Sequence, residues 1–329
     1  RVLLVSALYP LAKSKHSQKD YAEWLQRLLG TITTDVYFFA PPSLESIVLD
    51  TTQPKLQPQF FKLNTEYETA FTVPPLQGLE KVYDGMHQKD REKLRHSPEL
   101  YAVWNAKPFF LNTAVQEMRQ RGKEYDYAFW IDAGSFREEH AFSGWPDATR
   151  VEEVFEQSGK GHDTIFFPIW DPPGFRFRTW QEGMGPVDDE VSEGSFFGGP
   201  PQAIRWYTST FYEYHDHYLS LGHFVGKDQT LINALFLLFP RRFVTLWRRD
   251  PSSRTKFWPS GKCGGEWYYY EFALAKENER NAMESIWEKK MSWFWRVLRG
   301  WVPGGTAKCP LPPGLAMESV LAETFGERW

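Results

Sequence analysis

The sequence predicts an α/β fold built on a mostly parallel sheet, with a helical extension at its C-terminal end. Three observations carry this reading. Residues 2–8 and 127–131 are short, nearly unbroken apolar runs, the pattern of strands buried on both faces. A strand, an amphipathic segment and a second strand follow one another by residue 40, which makes a right-handed βαβ unit. Strand-length runs then alternate with helical stripes as far as Trp247.

Taken in order, residues 2–8 form the first strand and 15–29 a helix. Tyr21, Trp24, Leu25 and Leu28 lie on one stripe of that helix, with Ser17 as N-cap. Residues 35–40 are the second strand, closed by Pro41 and Pro42. Residues 44–90 read as a surface excursion with a candidate strand at 47–49, and 88–96 as a solvated charged face. Residues 97–122 predict a helix capped by Ser97, opened by Pro98, stopped by Gly122 and kinked or divided at Pro108. After the strand at 127–131 come a helix at 151–157 capped by Thr149, a strand at 163–170 and an Arg- and aromatic-rich loop at 175–185. A short strand at 193–199, helices at 202–221 and 229–238 and a last strand at 242–247 follow. Residues 261–270 read as a loop closing over a site, and 286–302 as a Trp- and Arg-rich helix packed on the main domain. The division is therefore a main domain, 1–275, and a helical extension, 276–329.

Composition narrows the function. A net charge of −4 leaves no basic footprint for nucleic acid. No apolar run has the roughly 18 residues a membrane span needs, so membrane contact is expected only through a segment preceding Arg1 or weakly through the Trp-rich helix. Two cysteines, Cys263 and Cys309, are compatible with one disulfide or two free thiols. The His residues are scattered, and there is no Cys-x-x-Cys, Gly-x-Ser-x-Gly, P-loop or Gly-x-Gly-x-x-Gly. The usual zinc-enzyme, serine-hydrolase, kinase and dinucleotide readings fall away. Fifteen Trp, 15 Tyr and 26 Phe exceed what a core requires and suit stacking on sugars or bases.

What remains is a set of carboxylates at strand ends and in loops: Asp132, Glu193 and Asp228. Asp132 ends the strand 127–131, at the edge where open α/β sheets bind ligands. It is the candidate ligand of a divalent Mn²⁺ or Mg²⁺ ion, which bridges a nucleotide diphosphate. Gly134 allows close approach to the backbone, and Lys107 and Arg137 supply cations for a leaving diphosphate. Ser6, Ala7 and Tyr9, at the end of the first strand, are a candidate seat for a nucleotide base. Glu193 and Asp228 are the candidate acid–base groups, and Trp130, Trp170 and Trp180 candidate sugar platforms. These parts fit sugar transfer from a nucleotide donor to a glycan.

The ordered motifs Val5-Ser-Ala-Leu-Tyr9, Tyr21-x-x-Trp24-Leu25, Tyr101-x-x-Trp104-x-x-Lys107, Trp130-Ile-Asp-Ala-Gly134, Gly194-Ser-Phe-Phe-Gly198-Gly199 and Gly226-Lys-Asp-Gln-Thr-Leu-Ile-Asn233 resemble those of the HtrL/YibB family. That resemblance implies a GT-A type, Rossmann-like three-layer α/β/α fold with a mixed, mostly parallel sheet. It also implies a glycosyltransferase using a UDP- or GDP-sugar and acting in surface polysaccharide assembly. The layout is more distantly similar to the glycogenin-like transferases. By that similarity Lys107 contacts the donor, Asp132 holds the metal, Gly194 and Ser195 line the sugar site, and Asp228 with Gln229 sits at the reacting carbon. The Asp-x-Asp of those relatives is here Asp132-Ala133-Gly134, and no His follows His223, so a weakly bound metal, a late ligand such as Glu266, or no metal are the options. The competing readings are a non-catalytic carbohydrate-binding protein on a decayed transferase fold and a nucleotide-sugar hydrolase. With an N-terminal anchor the expected location is the Golgi or another endomembrane lumen; otherwise it is the cytoplasm.

Overall fold

The computed structural model describes residues 1–11, 13, 16–52, 60–252, 263–290 and 308–326. Eight strands form one mixed sheet in the order β3-β2-β1-β4-β6-β5-β7-β8. They are β1 Val2–Ala7, β2 Asp35–Phe39, β3 Phe61–Asn64, β4 Tyr127–Ile131, β5 Ile165–Ile169, β6 Phe196–Gly199, β7 Phe243–Trp247 and β8 Gly314–Ala316. β3, β2, β1 and β4 are parallel, as are β5 and β7; β6 runs antiparallel to β4 and β5, and β8 antiparallel to β7.

Both faces of the sheet are buried, and successive side chains of a strand face opposite ways. Leu3 and Val5 of β1, and Ala128 and Trp130 of β4, join one core with α4 (Pro98–Gln120), α6 (Pro201–Ser220) and α7 (Asp228–Leu238). Val2 and Leu4, with Tyr127, Phe129 and Ile131, join a second core with α1 (Gln18–Leu29) and α5 (Ala148–Gln157). This double burial is why the strands read as continuous apolar runs.

The elements of the main domain stand close to their predicted places. Ser17 caps α1 in a reciprocal box with Asp20, and Ser97 accepts the Leu100 amide at the start of α4. Gly198 permits the close pairing of β6 with β4, because a Cβ there would stand 2.1 Å from the Ala128 carbonyl oxygen.

Several expectations are corrected. Residues 47–49 belong to α2 (Glu45–Thr51), whose one buried residue, Val48, needs a helical stripe and not a strand. The third strand lies further on, at Phe61–Asn64. Pro108 does not divide α4, where Tyr212 donates to the Asn105 carbonyl beside the disrupted turn. Asp147, not Thr149, caps α5. The surface excursion contains α3 (Glu80–His87).

The boundary at residue 275 does not separate a helical extension. Beyond α8 (Tyr269–Ala273) and α9 (Glu277–Lys290), β8 pairs with β7 and α10 (Met317–Phe325) buries Met317, Val320 and Leu321 in the first core. The C-terminal residues thus complete the main sheet. The predicted helix at 286–302 lies outside the described residues beyond Lys290.

Candidate functional site

The chain winds from β1 outward through β2 to β3 and then places β4 on the other side of β1. The following helix of β1, α1, lies on one face, and the preceding helix of β4, α4, on the other. Their separation opens a crevice at the carboxyl ends of β1 and β4, the position where doubly wound sheets take ligands. A cavity of about 580 Å³ occupies it. β6 lies next to β4, on the side away from β1. Because β6 runs antiparallel, its starting loop, Glu193-Gly194-Ser195, comes to the same edge, and the Asp132 amide donates to the Ser195 carbonyl at 2.9 Å.

The cavity lining combines the aromatic rings of Tyr9, Tyr21, Trp24 and Trp104, among Leu8, Leu44 and Val103, with the charged side chains of Lys107, Asp132 and Arg137. Trp24 packs against Gly134, where a Cβ would sit 3.0 Å from its ring. The Arg137 guanidinium lies 4.8 Å from the Trp24 ring and 5.3 Å from that of Tyr268, and its Nε donates to the Gly134 carbonyl. Tyr268 is held in place by its neighbours. Tyr269 donates to the Ile169 carbonyl, and the Tyr270 hydroxyl shares hydrogen bonds with Ser195 Oγ at 2.9 Å and Ser135 Oγ at 3.3 Å.

Lys107 is the centre of the charged group. Its side chain is 4% exposed, and its ammonium lies 3.2 Å from Asp132 Oδ1, 3.3 Å from Asp228 Oδ2 and 2.8 Å from the Gly194 carbonyl oxygen, to which it donates. Burial works against its charge, but Asp132 and then Asp228 outweigh that and hold its pKa above the ordinary lysine value. The contact to Asp228 is an ion pair without good hydrogen-bond geometry. Asp228 begins α7, where its Oδ1 accepts the Gln229 amide at 2.8 Å. Burial raises its pKa, against the pull of Lys107 and with the help of Asp132. Glu193 is pushed up to about 8, mainly by burial and against hydrogen bonds from Ser195.

Of the residues predicted for the site, Ala7, Tyr9, Lys107, Asp132, Gly134 and Arg137 line the cavity. Ser6, Glu193, Gly194, Ser195, Asp228 and Gln229 do not. Ser6 is wholly buried, and Gln229 turns away to donate to the Ser192 carbonyl. Asp228, Glu193 and Gly194 stand behind Lys107, because the loop before β6 folds beneath the ammonium and not beside the cavity. Trp130 also lines the cavity, although it is almost wholly buried, and its indole N–H donates to Asp132 Oδ1 at 2.6 Å. The loop 261–270, expected to close over a site, contributes Tyr268 to the cavity, whereas Trp24 and Trp104 are not among the predicted site residues. Trp24 was legible as a helical stripe following β1, but which side of Tyr268 faces the cavity depends on contacts remote in sequence.

A divalent ion built on Asp132 is not matched by the residues present. Asp132 Oδ1 already accepts the Trp130 indole, and both its oxygens face Lys107, at 3.2 and 3.5 Å. Asp228 faces the same ammonium, and Glu266 pairs with Arg248 at 3.4 Å. Among the described residues no three His, Cys, Asp or Glu converge on a common point, whereas Mg²⁺-type ions need several oxygen ligands. The lysine holds the place between two acids that a cation would take.

Compared with family models and with curated proteins, the chain matches none.

Proposed function

We propose that this chain is a glycosyltransferase of GT-A type that binds a UDP- or GDP-sugar in the crevice between β1 and β4 and passes the sugar to a glycan hydroxyl. The observation that carries the reading is Lys107, fixed between Asp132 and Asp228 in the wall of an aromatic-lined cavity of about 580 Å³. The aromatic side chains of the lining suit a base and ribose, and Arg137 with Lys107 suits a diphosphate. In transfer the bond from the anomeric carbon to the diphosphate breaks, its electron pair leaves on the diphosphate, and the acceptor oxygen bonds to that carbon. Lys107 and Arg137 stabilise the developing charge. Asp132, the carboxylate among the lining residues and 35% exposed, holds a hydroxyl of the sugar or takes the acceptor's proton. Asp228 acts through Lys107 as a positioning residue. With a lysine as resident cation, the donor binds without added metal.

The Cys263–Cys309 disulfide supports an oxidising compartment such as the Golgi lumen over the cytoplasm. Among the described residues no helix is long and apolar enough to cross a membrane.

Titration calorimetry with UDP, GDP, ADP and CDP, each with and without Mn²⁺, tests the proposal. Binding of UDP or GDP without Mn²⁺, weakened in Lys107→Met, is expected; no binding to any of them sinks it. The alternative, a non-catalytic carbohydrate-binding protein, draws on Asp228 and Glu193 standing outside the cavity. Release of UDP or GDP from the matching sugar nucleotide, dependent on Asp132, decides for the enzyme; release of free sugar without an acceptor points to a hydrolase.

A further inference from the structure

The other half of the same sheet edge carries a second aromatic cluster. Trp170, which directly follows β5, and Trp267 lie with ring centres 5.9 Å apart and planes 35° from each other. Trp267 is 42% exposed, unusual for an aromatic of this size among the described residues. The Arg249 guanidinium lies 4.6 Å from the Trp170 ring and pairs with Asp171 at 2.8 Å, and Glu266 adds a carboxylate to the rim. An exposed indole beside Trp170, with the Arg249–Asp171 pair on Trp170 and Glu266 next to it in the chain, matches a pyranose. The apolar C–H face of the sugar stacks on the ring, and its equatorial hydroxyls meet the charged rim.

One peptide bond joins this cluster to the cavity wall, and two backbone hydrogen bonds join it to the loop behind Lys107. Trp267 is adjacent in the chain to Tyr268, which lines the cavity. Trp170 and Pro168 are bonded to the loop that bears Glu193: the Trp170 amide donates to the Val191 carbonyl and the Glu193 amide to the Pro168 carbonyl.

We infer that Trp267, backed by Trp170 and Arg249, is the binding subsite for the acceptor glycan, recognising a pyranose unit of an oligosaccharide. As an acceptor subsite it rests on the transferase reading, while its sugar chemistry stands on the cluster itself.

The test uses the full chain on an array of immobilised oligosaccharides, neutral and acidic, alongside calorimetry with UDP and GDP. Wild type is expected to be retained by a subset of pyranose glycans. Trp267→Ala should lose roughly tenfold in that affinity and Arg249→Ala less, with nucleotide affinity unchanged to within about twofold in both. Unchanged nucleotide affinity also shows that the variants are folded. Retention of the same glycans by Trp267→Ala at wild-type strength overturns the inference, as does retention of no glycan by the wild type. Glycan binding that depends on Trp267 in a protein that binds no nucleotide supports the sugar subsite and sinks the transferase reading. Nucleotide binding without glycan binding does the reverse.

Discussion

The carboxyl edge of the sheet differs on the two sides of β6. Toward β1 and β4 it is a crevice with a buried cation; toward β5 and β7 it presents Trp170 and an exposed Trp267. The cause is strand direction. β1 and β4 are parallel neighbours whose connecting helices lie on opposite faces, so their ends part. β6 is antiparallel and delivers its first residues to this edge, where Glu193 and Gly194 fill the space that a parallel strand end leaves open. The first half encloses charge away from water, and its interactions are strong and costly to break. The second half offers a surface, and its side chains contribute little to stability.

Lys107→Ala breaks that contrast most severely. It leaves Asp228 buried without its ammonium, and removal of one partner of a buried pair costs about 3–5 kcal/mol. The loss in urea unfolding should grow as pH rises, since Asp228 must then shed the proton that compensates for the missing cation. A loss equal at acid and alkaline pH would show that Asp228 does not depend on Lys107.

Next comes the disulfide. Cys263 and Cys309 close a loop of 46 residues and tie the chain before Trp267 to the C-terminal segment. Removing it in Cys263→Ser/Cys309→Ser should cost about 2–4 kcal/mol by the chain-entropy account. Thermal unfolding with and without reductant checks this, and an unchanged midpoint contradicts it.

The third test is a slope. Glu193 has a folded pKa of about 8 against 4.5 when exposed, so the native state keeps a proton that the unfolded chain releases. The stability this group contributes is full below its unfolded pKa and is lost as pH rises through its folded one. Glu193→Gln should therefore flatten the fall in stability across that window, measured by unfolding at a series of pH values. An unchanged slope would place the titration on Asp228 or Glu271, which burial also raises.

Smallest is Trp267→Ala on the open side. An exposed side chain away from the core should change stability by no more than about 0.5 kcal/mol, and a larger loss by thermal unfolding would mean that Trp267 is part of the packing.

Much of this was legible because the responsible signal is local. β4 and its terminal Asp132 follow from five apolar residues and a turn, the caps of α1 and α4 from single serines, and the nearness of Lys107 from its place in the helix before β4. Other parts were not. The strand Gly314–Ala316 has three residues and no period of its own; only pairing with β7 makes it a strand. The two cysteines alone did not state their bond. In the chain Asp132 reads as a metal ligand and Glu193 and Asp228 as acid–base groups, but nothing local to the three states which is buried and which meets solvent.

By itself the sequence determined the α/β class, the order of the main strands and helices, and the residues that gather at one sheet edge, because apolar periodicity and capping act over a few residues. Only the tertiary structure decided which acid meets solvent and which is buried on Lys107, that Trp130 donates to Asp132, and that Tyr268 is the member of its loop that lines the cavity. Those outcomes depend on the antiparallel entry of β6 and on contacts between residues distant in the chain, which no short stretch encodes.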